Sequence, residues 1–442
     1  MKFNPAPPTV MHVDLNSCFA TVEQQANPLF RGKPLVVAAY ATGNGCILAA
    51  SKEAKRLGIK TGMSVREGQG IYRTLIVLPP DPDKYRLVNH QLTALLGSYT
   101  DALSVESIDE MVLDVKNTPA LYRSLKKYRN NIPIIPDSEF MIQKTIPAMQ
   151  DIGRDIKQRI RDEIGDWLTV SIGIAPNRYL AKVASGLEKP DGLRWITRET
   201  IEDVFSTLKL EDLCGIKEGN ATRLRYGGIA TPLAMLSASQ EALGRAFHSI
   251  VGYHWWQRLH GWEDGVMYKT FDEKEELQKS FGQSYALPKS YTATDPRLWQ
   301  ILSQLTMKMG KRLRDDGCTA SGVGISLLFA DHTHWHTQQK LSAALYADMD
   351  FYQWYRRMLA AAPENPVRIL AIYSYHLERE AAQLSLLPED DKKRSLTAAI
   401  DRVSDRFGNF VVTPGRMLDM EQRVLDRIAF GKAGFTPLNP RG

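Results

Sequence analysis

Three acidic residues, Asp14, Asp109 and Glu110, stand at the ends or turns of strands that the sequence pattern predicts. Asp14 closes the apolar run Thr9–Asp14. The acidic pair interrupts the alternating stretch Ser104–Val115, a pattern typical of a β-hairpin with acids at its tip. Carboxylates are hard oxygen ligands of the kind that Mg²⁺ prefers. Two such ions about 3.5–4 Å apart could activate a hydroxyl group and stabilise a departing phosphate. These residues therefore predict phosphoryl transfer carried by charge and alignment.

A structural interpretation of the same acids is also open. Asp14 could cap the helix that follows it, and Asp109 with Glu110 could form a solvated turn. Burying an acidic pair in an apolar hairpin without a cation is costly, which favours the metal interpretation. No residue in the sequence stands out as a general base.

The pattern around the acids predicts the elements that must position them. Strands and helices interleave up to about residue 198, which is typical of an α+β layer. Short helices broken by glycine are expected over 199–262, and a new α/β unit is expected from Gln278. Strands are expected over 9–14, 34–39, 46–50 and 168–173. One helix is expected to begin near residue 17, and others are expected over 51–57, 84–99 and 152–164. The segment 116–146 is expected to be an irregular insertion.

Length and composition set the broad class. A chain of 442 residues is too long for one hydrophobic core, so several domains are expected. Its 43% hydrophobic and 24% charged residues are typical of a globular protein, and no apolar run approaches the roughly 20 residues of a membrane span. Met1–Pro8 lacks the features of a signal peptide, and the four cysteines lie far apart. We therefore expect a reducing, cytoplasmic location and no membrane partner.

Three motifs resemble the Y family of translesion DNA polymerases and occur in the order of that family. His12–Glu23 is similar to its first carboxylate motif, and Ser107–Val115 is similar to its second. Ser171–Ser185, continued by Glu188–Gly192, is similar to its third and longest signature. The resemblance covers the chain well to about residue 195 and more loosely beyond it.

The resemblance implies an α+β right-hand polymerase with palm, fingers, thumb and little-finger domains. It places the palm at 1–17 and 82–198, the fingers at 18–81, the thumb at 199–262, a linker at 263–277, the little finger at 278–377 and a C-terminal tail at 378–442. The implied activity is template-directed addition of dNTPs to a primer 3′ end, in translesion synthesis and DNA repair. The implied partners are primer–template DNA, dNTPs and a sliding clamp, and we expect a monomer.

The resemblance also assigns the metal ligands and a selectivity residue. Asp14, Asp109 and Glu110 would ligate two Mg²⁺ ions, with help from the backbone carbonyl of Leu15. Phe19 would be the steric gate, whose ring fills the space that a ribose 2′-hydroxyl needs. A core aromatic of the first helix is the other interpretation of Phe19.

Three lysines fall at positions that contact the triphosphate in the family. They are Lys52, Lys55 and Lys189. Many members have Tyr and Arg at the first two positions, and a lysine neutralises phosphate as a point charge without the bidentate fork of arginine. A solvated surface lysine is the alternative for each.

Two regions are expected to hold DNA. Leu213–Gly219 resembles a helix-hairpin-helix, in which backbone N–H groups bind a phosphate; an ordinary turn between helices is the alternative. The stretch 279–314 has seven basic residues against one acid, which fits a surface that follows the DNA backbone. We assign DNA binding to Lys279, Lys308, Lys311, Arg312 and Arg314.

The stretch Gln383-Leu-Ser-Leu-Leu387 resembles the bacterial sliding-clamp-binding peptide, in which a glutamine precedes apolar anchors. We assign clamp binding to Gln383, Leu384, Leu386 and Leu387. An exposed apolar run in a polar context favours a partner. A short strand of the tail that packs on its own domain is the alternative.

Two other functions are compatible with parts of the pattern. A catalytically inactive relative could act as a DNA- and clamp-binding adaptor, but an adaptor has no reason to keep acids that repel DNA. A palm-fold nucleotide cyclase also uses paired acids and two metals, and the thumb-like and little-finger-like segments disfavour it.

Overall fold

The computed structural model describes residues 3–128, 138–265, 279–379, 388–420 and 424. The described residues up to 265 form one compact unit, and those from 279 onwards form a second. Both units combine helices with β-sheet, which confirms the α+β class.

A five-stranded sheet carries the predicted acids in the first unit. In chain order, the strands are β1 Val10–Leu15, β2 Leu35–Ala38, β3 Ile47–Ala50, β4 Ile76–Leu78, β5 Leu103–Val105, β6 Glu110–Asp114, β7 Val170–Ala175 and β8 Leu193–Trp195. The large sheet has the order β5-β6-β1-β7-β8, with β1 antiparallel to both of its neighbours. A smaller sheet has the order β3-β2-β4. These strands confirm the four sequence predictions to within two residues.

The helices of the first unit pack on its two sheets or on one another. They are α1 Cys18–Ala26, α2 Lys52–Arg56, α3 Val65–Ile71, α4 Pro82–Gly97, α5 Pro119–Lys127, α6 Ser138–Arg159, α7 Arg178–Gly186, α8 Ile201–Ser206, α9 Glu218–Tyr226, α10 Pro232–Ser237, α11 Gln240–Phe247 and α12 Val251–Leu259. Met11, Val13 and Leu15 alternate along β1 and pack in a core with α1, α4 and α6. The residues between them, His12 and Asp14, therefore face α7 on the other side of the sheet.

The predicted irregular insertion over 116–146 is wrong where the structure describes it. Helix α5 begins here because Thr118 caps it, accepting a hydrogen bond from the Leu121 amide, and Pro119 takes the first helical position. Helix α6 already begins at Ser138, well before the predicted start at 152, and it accommodates Pro147. The many asparagines, prolines and lysines of this stretch did not indicate helices, yet it contributes to two helices, α5 and α6, that pack on each other.

Helices α8 to α12 confirm the short helices predicted over 199–262. Around Trp255 they share a core with α7 and with Val10 and Val112 of the large sheet. The N-terminal segment is attached to the end of this group. The Asn4 amide nitrogen donates to the His260 carbonyl at 2.8 Å, and its side chain donates to the Gly261 carbonyl at 2.7 Å.

The second unit is a four-stranded antiparallel sheet with helices on one face. Its elements are β9 Ser280–Tyr291, α13 Pro296–Asp315, β10 Cys318–Phe329, β11 His334–Leu345, α14 Asp348–Ala360, β12 Val367–Arg379 and α15 Pro388–Phe407. The strand order is β11-β10-β12-β9, and apolar side chains of α13 and α14 pack on the inner face. Helix α15, which the sequence placed in a separate tail, is joined to this unit by an ion pair between Asp401 and Arg314.

Candidate active site

The three predicted acids meet at one end of the large sheet. Asp14 lies directly opposite Glu110 in the antiparallel pairing of β1 with β6. The backbone N–H of Leu15 donates to the carbonyl of Asp109 at 2.9 Å, so the two strands are also linked at the next position. β5 and β6 form the predicted hairpin, and the acids stand at its tip. Sequence spacing therefore placed all three acids correctly.

The turn of the hairpin is fixed by its own side chains. Ser107 donates a 2.6 Å hydrogen bond from its hydroxyl to the Asp109 carboxylate. Burial raises the pKa of Asp109, the Ser107 hydrogen bond opposes this, and the neighbouring Glu110 adds to the rise. Burial also raises the pKa of Asp14, although Lys189 opposes it. Both carboxylates thus stand in surroundings that disfavour their negative charge unless a cation is near.

Two lysines supply positive charge at these acids. Lys189 Nζ lies 2.6 Å from Asp14 Oδ2, and Lys182 Nζ, on α7, lies 2.6 Å from Glu110 Oε2. Burial lowers the pKa of Lys182, but the Glu110 carboxylate more than offsets this, and the pKa is raised overall. Lys189 was predicted as a triphosphate ligand. Lys182 was missed, because nothing in the local pattern links position 182 to position 110.

The donor atoms suit a divalent cation, but the lysines hold two of the three carboxylates. Within the described parts of the chain, no three His, Cys, Asp or Glu side chains are close enough to hold a metal ion as they stand. Asp14 and Glu110 instead accept hydrogen bonds from the ammonium groups of Lys189 and Lys182. The donor set nevertheless fits Mg²⁺, which takes carboxylate oxygens and leaves positions for phosphate oxygens.

His12 is a further buried residue beside the acids that sequence reasoning left out. Its Nδ1 lies 3.1 Å from the Ser185 hydroxyl on α7, and its Nε2 lies 4.0 Å from Glu110 Oε2. Burial, with a smaller effect from the two lysines, lowers the pKa of His12 well below its usual value. The ring is therefore neutral at pH 7 and links β1 to α7 without adding charge to the site.

Phe19 lies on α1 at the edge of the same cleft. Its ring stacks on Tyr85, with ring centroids 4.4 Å apart and planes inclined by 13°. Tyr85 is fixed in turn, since its hydroxyl donates to Glu23 at 2.9 Å and Lys84 pairs with the same carboxylate at 3.0 Å. Phe19 lines a cavity together with Asp14. Phe19 is thus a packed aromatic residue that also lines a cavity, so its position is compatible with both the core and the gate interpretations.

The predicted phosphate-binding lysines line one continuous cleft beside Asp14. Lys52, Lys55 and Lys189 line it together with Arg56, which the sequence analysis overlooked. Burial lowers the pKa of Lys55, and the neighbouring Lys189 lowers it further. The start of α2 that presents these side chains is capped by Ser51, which accepts a hydrogen bond from the Ala54 amide. Such a concentration of positive charge suits a polyphosphate.

The turn over Leu213–Gly219 lies between two helical segments, as both of its interpretations require. Gly215 has φ 89°, a left-handed conformation that favours glycine, and α9 begins at Glu218. The clamp-binding residues Gln383, Leu384, Leu386 and Leu387 lie outside the described residues.

The predicted DNA-binding residues of the second unit do not form one basic surface. Arg314 is buried and paired with both Asp348 and Asp401, at 2.8 and 2.6 Å. This burial removes Arg314 from the predicted surface. The residue stands on the side of α13 that α14 and α15 cover, and both acids come from distant parts of the chain.

The other predicted basic residues have varied surroundings. Lys308 donates to the Val424 carbonyl at 2.7 Å, and Lys311 pairs with Asp405 at 2.7 Å. Arg312 donates to the Gly282 carbonyl at 3.2 Å. Lys279 is exposed. Three of the four thus contact their own unit.

Comparison with known proteins places the chain in a family. Residues 13–186 match the model of the impB/mucB/samB family, and residues 278–386 match the C-terminal domain of that family. DNA polymerase IV of Moorella thermoacetica is 30% identical over 412 residues, covering 91% of this chain and 94% of that protein. DNA polymerase IV 1 of Bacillus subtilis is 28% identical and covers 96% of this chain and 97% of its own length. This chain belongs to the Y family of DNA polymerases.

Solved structures show the same fold. A Y-family DNA polymerase chimera of Dbh and Dpo4 superposes with a TM-score of 0.66 at 24% identity, covering 83% of this chain and 98% of the chimera. The insertion ternary complex of Dbh DNA polymerase gives a TM-score of 0.53 at 23% identity. The right-hand polymerase architecture expected from the motifs is therefore confirmed.

Two general features concern the described residues as a whole. All four cysteines lie among them and are free thiols. Of the helices in these parts of the chain, none has both the length and the apolar character needed to cross a membrane.

Proposed function

We propose that Asp14, Asp109 and Glu110 of this translesion polymerase hold two Mg²⁺ ions, with the Leu15 backbone carbonyl as a further ligand. The single observation that carries this proposal is the placement of Asp14 opposite Glu110, with Leu15 bonded to Asp109. Bound there, the ions would activate the primer 3′-hydroxyl and neutralise the departing pyrophosphate. The raised pKa values of Asp14 and Asp109 support a site that favours bound cations.

Lys189 acts as an exchangeable counter-charge in this proposal. Lys189 neutralises Asp14 through its 2.6 Å contact and also lines the cleft with Lys55. An incoming triphosphate offers Lys189 stronger negative charge, so the ammonium moves from the carboxylate to a phosphate and releases Asp14. Lys182 stays on α7 and orients Glu110 from the side. Lys52, Lys55 and Arg56 complete the phosphate-binding wall.

Phe19 excludes ribonucleotides in the same proposal. A gate works only if its ring resists displacement by a 2′-hydroxyl. The stack on Tyr85 and the Tyr85–Glu23 hydrogen bond supply that resistance, because moving Phe19 would also disturb a buried hydroxyl–carboxylate pair.

The open face of the second sheet is the surface that we propose for holding duplex DNA. Gly322 and Gly324 of β10 point to this face, and the rings of Tyr375 and Tyr373 lie against them. Lys340 stands opposite Gly322 on the edge strand β11. None of the described residues of β10 from Gly322 to Leu328 is acidic, and neither is any residue that lies level with them on β11, β12 or β9. A flat face with basic and aromatic side chains suits contact with a phosphate backbone without reading its sequence.

Clamp binding through Gln383, Leu384, Leu386 and Leu387 rests on the sequence motif alone. The peptide falls between β12 and α15, both of which belong to the second unit. Attachment to a ring on DNA would raise the local concentration of the polymerase without changing its active site. A monomer acting in the cytoplasm also stays part of this proposal.

Primer extension tests the proposed function. We expect purified protein to add dNTPs to a primed template with Mg²⁺, and we expect Asp109→Asn and Glu110→Gln to abolish addition while both variants still bind primed DNA. Lack of addition by the wild type with Mg²⁺ or Mn²⁺ would leave the adaptor function, which no described feature favours. Addition by both variants at the wild-type rate would refute the assignment of the ligands.

A further inference from the structure

Lys52 lies over an aromatic ring that none of the family motifs includes. Its ammonium is 4.2 Å from the centre of the Trp167 ring, within the range of a cation–π interaction. Trp167 precedes strand β7, whereas Lys52 is the first residue of α2. The contact therefore joins the helix that presents the phosphate-binding cations to the sheet that carries Asp14.

The position of the Trp167 ring is fixed by several bonds. Its indole N–H donates to Gln24 at 3.1 Å, and its backbone N–H donates to Gln25 at 2.7 Å. Gln24 is itself buried and donates to the Phe30 carbonyl at 3.1 Å. Trp167 is therefore a rigid platform held from below by α1.

A second cation supports the same platform. The Arg31 guanidinium is 5.3 Å from the ring centre, and it makes two hydrogen bonds, of 2.9 and 2.8 Å, to Asp166. Because Asp166 directly precedes Trp167, this pair fixes the backbone of the loop as well. The ring is thus held by contacts on several sides, while the Lys52 side chain that rests on it has four rotatable carbons.

Lys52 lines the cleft next to Asp14 while its ammonium is over Trp167. We infer that Trp167 is a positioning residue that holds the Lys52 ammonium beside the phosphates of the incoming nucleotide. The inference rests on the proposed function, which places the triphosphate in this cleft. A lysine held in one place loses less conformational entropy on binding phosphate, so the ring strengthens nucleotide binding without touching the nucleotide.

Single-turnover primer extension measures this effect as the apparent Kd of the incoming dNTP. Trp167→Leu removes the ring face, and we expect it to raise the apparent Kd about two- to five-fold, the range of an exposed cation–π contact, at an unchanged maximal rate. Trp167→Phe keeps an aromatic face, and its Kd should lie near that of the wild type. Trp354→Leu is the matched control, since Trp354 pairs with Arg357 in the second unit; its Kd should equal that of the wild type.

A double variant separates positioning from a general packing role. Lys52→Ala should raise the Kd by at least as much as Trp167→Leu, and Trp167→Leu should add nothing further in the Lys52→Ala background. Equal effects of Trp167→Leu in both backgrounds, or an unchanged Kd in Trp167→Leu, would overturn the inference while polymerase activity persists. If the wild type extends no primer, the proposed function fails, and the inference fails with it.

Discussion

The ammonium of Lys189 lies 2.6 Å from the carboxylate of Asp14, although 175 residues separate them in the chain. A cation that binds Asp14 Oδ2 must therefore compete with Lys189 for that oxygen. The triphosphate relieves this competition in our account, because it offers the lysine another anionic partner in the cleft that both residues line. We therefore propose that nucleotide and metal binding are coupled through Lys189.

Lys189→Met should separate the two effects of this lysine. We expect the apparent Kd of the dNTP to rise roughly tenfold or more, because a hydrogen bond to a charged group is lost. We expect the Mg²⁺ concentration at half-maximal activity, measured at saturating dNTP, to fall, because the competitor at Asp14 is gone. Titrations of each ligand in primer extension measure both values. A dNTP Kd equal to that of the wild type would contradict the role of Lys189.

Asp109→Asn should make the metal-free protein more stable and inactive. Burial raises the pKa of Asp109, so its ionised form costs folding free energy at pH 7, and a neutral amide of the same size avoids that cost. We expect a higher thermal midpoint in EDTA, a smaller stabilisation by Mg²⁺, and a fall in primer extension of at least about a hundredfold. Thermal unfolding with and without Mg²⁺ checks this, and Asp81→Asn, at the cap of α4, is the control for loss of an acid. A lower midpoint in EDTA for Asp109→Asn would count against the electrostatic account.

Phe19→Ala should admit ribonucleotides. Removing the ring opens the space beside the sugar, and we expect ribonucleotide incorporation to rise roughly tenfold or more relative to dNTP, since each 1.4 kcal/mol of relieved clash is a factor of ten. Tyr85→Ala should relax the same discrimination to a smaller extent, because the ring of Phe19 loses its stack. Tyr85→Phe, which keeps the stack but loses the hydrogen bond to Glu23, should relax discrimination less than Tyr85→Ala. Competition between rNTP and dNTP on one template measures the ratio, and unchanged selectivity in Phe19→Ala would remove the gate from this residue.

Arg314→Met should destabilise the second unit. The variant leaves Asp348 and Asp401 as buried acids without a partner, which typically costs about 3–5 kcal/mol. Chemical denaturation measures the loss, and Lys279→Met, an exposed basic residue, is the matched control with an expected change near zero. An unchanged unfolding midpoint in Arg314→Met would contradict the stabilising role that we assign to Arg314 in place of DNA binding.

Leu384→Ala combined with Leu386→Ala should abolish stimulation by the sliding clamp. The apolar anchors are lost, while the described active site is untouched, so extension without the clamp should keep the wild-type rate. Processive synthesis on a clamp-loaded template measures the difference. Ser385→Ala is the control within the same peptide. Full stimulation of the double variant would refute the clamp assignment.

The apolar run Thr9–Asp14 was sufficient to predict the strand β1 and the position of Asp14 near its end. The hairpin that carries Asp109 was equally visible, because apolar residues flank it on both sides. The partners of these residues could not be predicted in the same way. Lys182 meets Glu110 only because α7 crosses the sheet beside β1, and no local signal encodes that crossing.

The error at Arg314 has a similar cause. The stretch 279–314 contains one acid, which indicated a solvent-facing basic surface. Its balancing acids, Asp348 and Asp401, come from later helices. The local charge pattern therefore gave a wrong prediction for Arg314, because the acids that neutralise it are distant in the sequence. The helix at Pro119 was missed for a different reason, since its cap and first-turn proline were present but were outweighed by the polar composition around them.

In our proposal, Asp14, Asp109 and Glu110 form one site for two divalent cations. The most direct measurement is the crystal structure of the protein with primed template, a non-hydrolysable dNTP and Mn²⁺, which anomalous scattering locates. We expect two Mn²⁺ ions bound by these three carboxylates, with Lys189 moved from Asp14 to a phosphate. A complex in which Lys189 still holds Asp14 and no Mn²⁺ contacts that carboxylate would contradict the account.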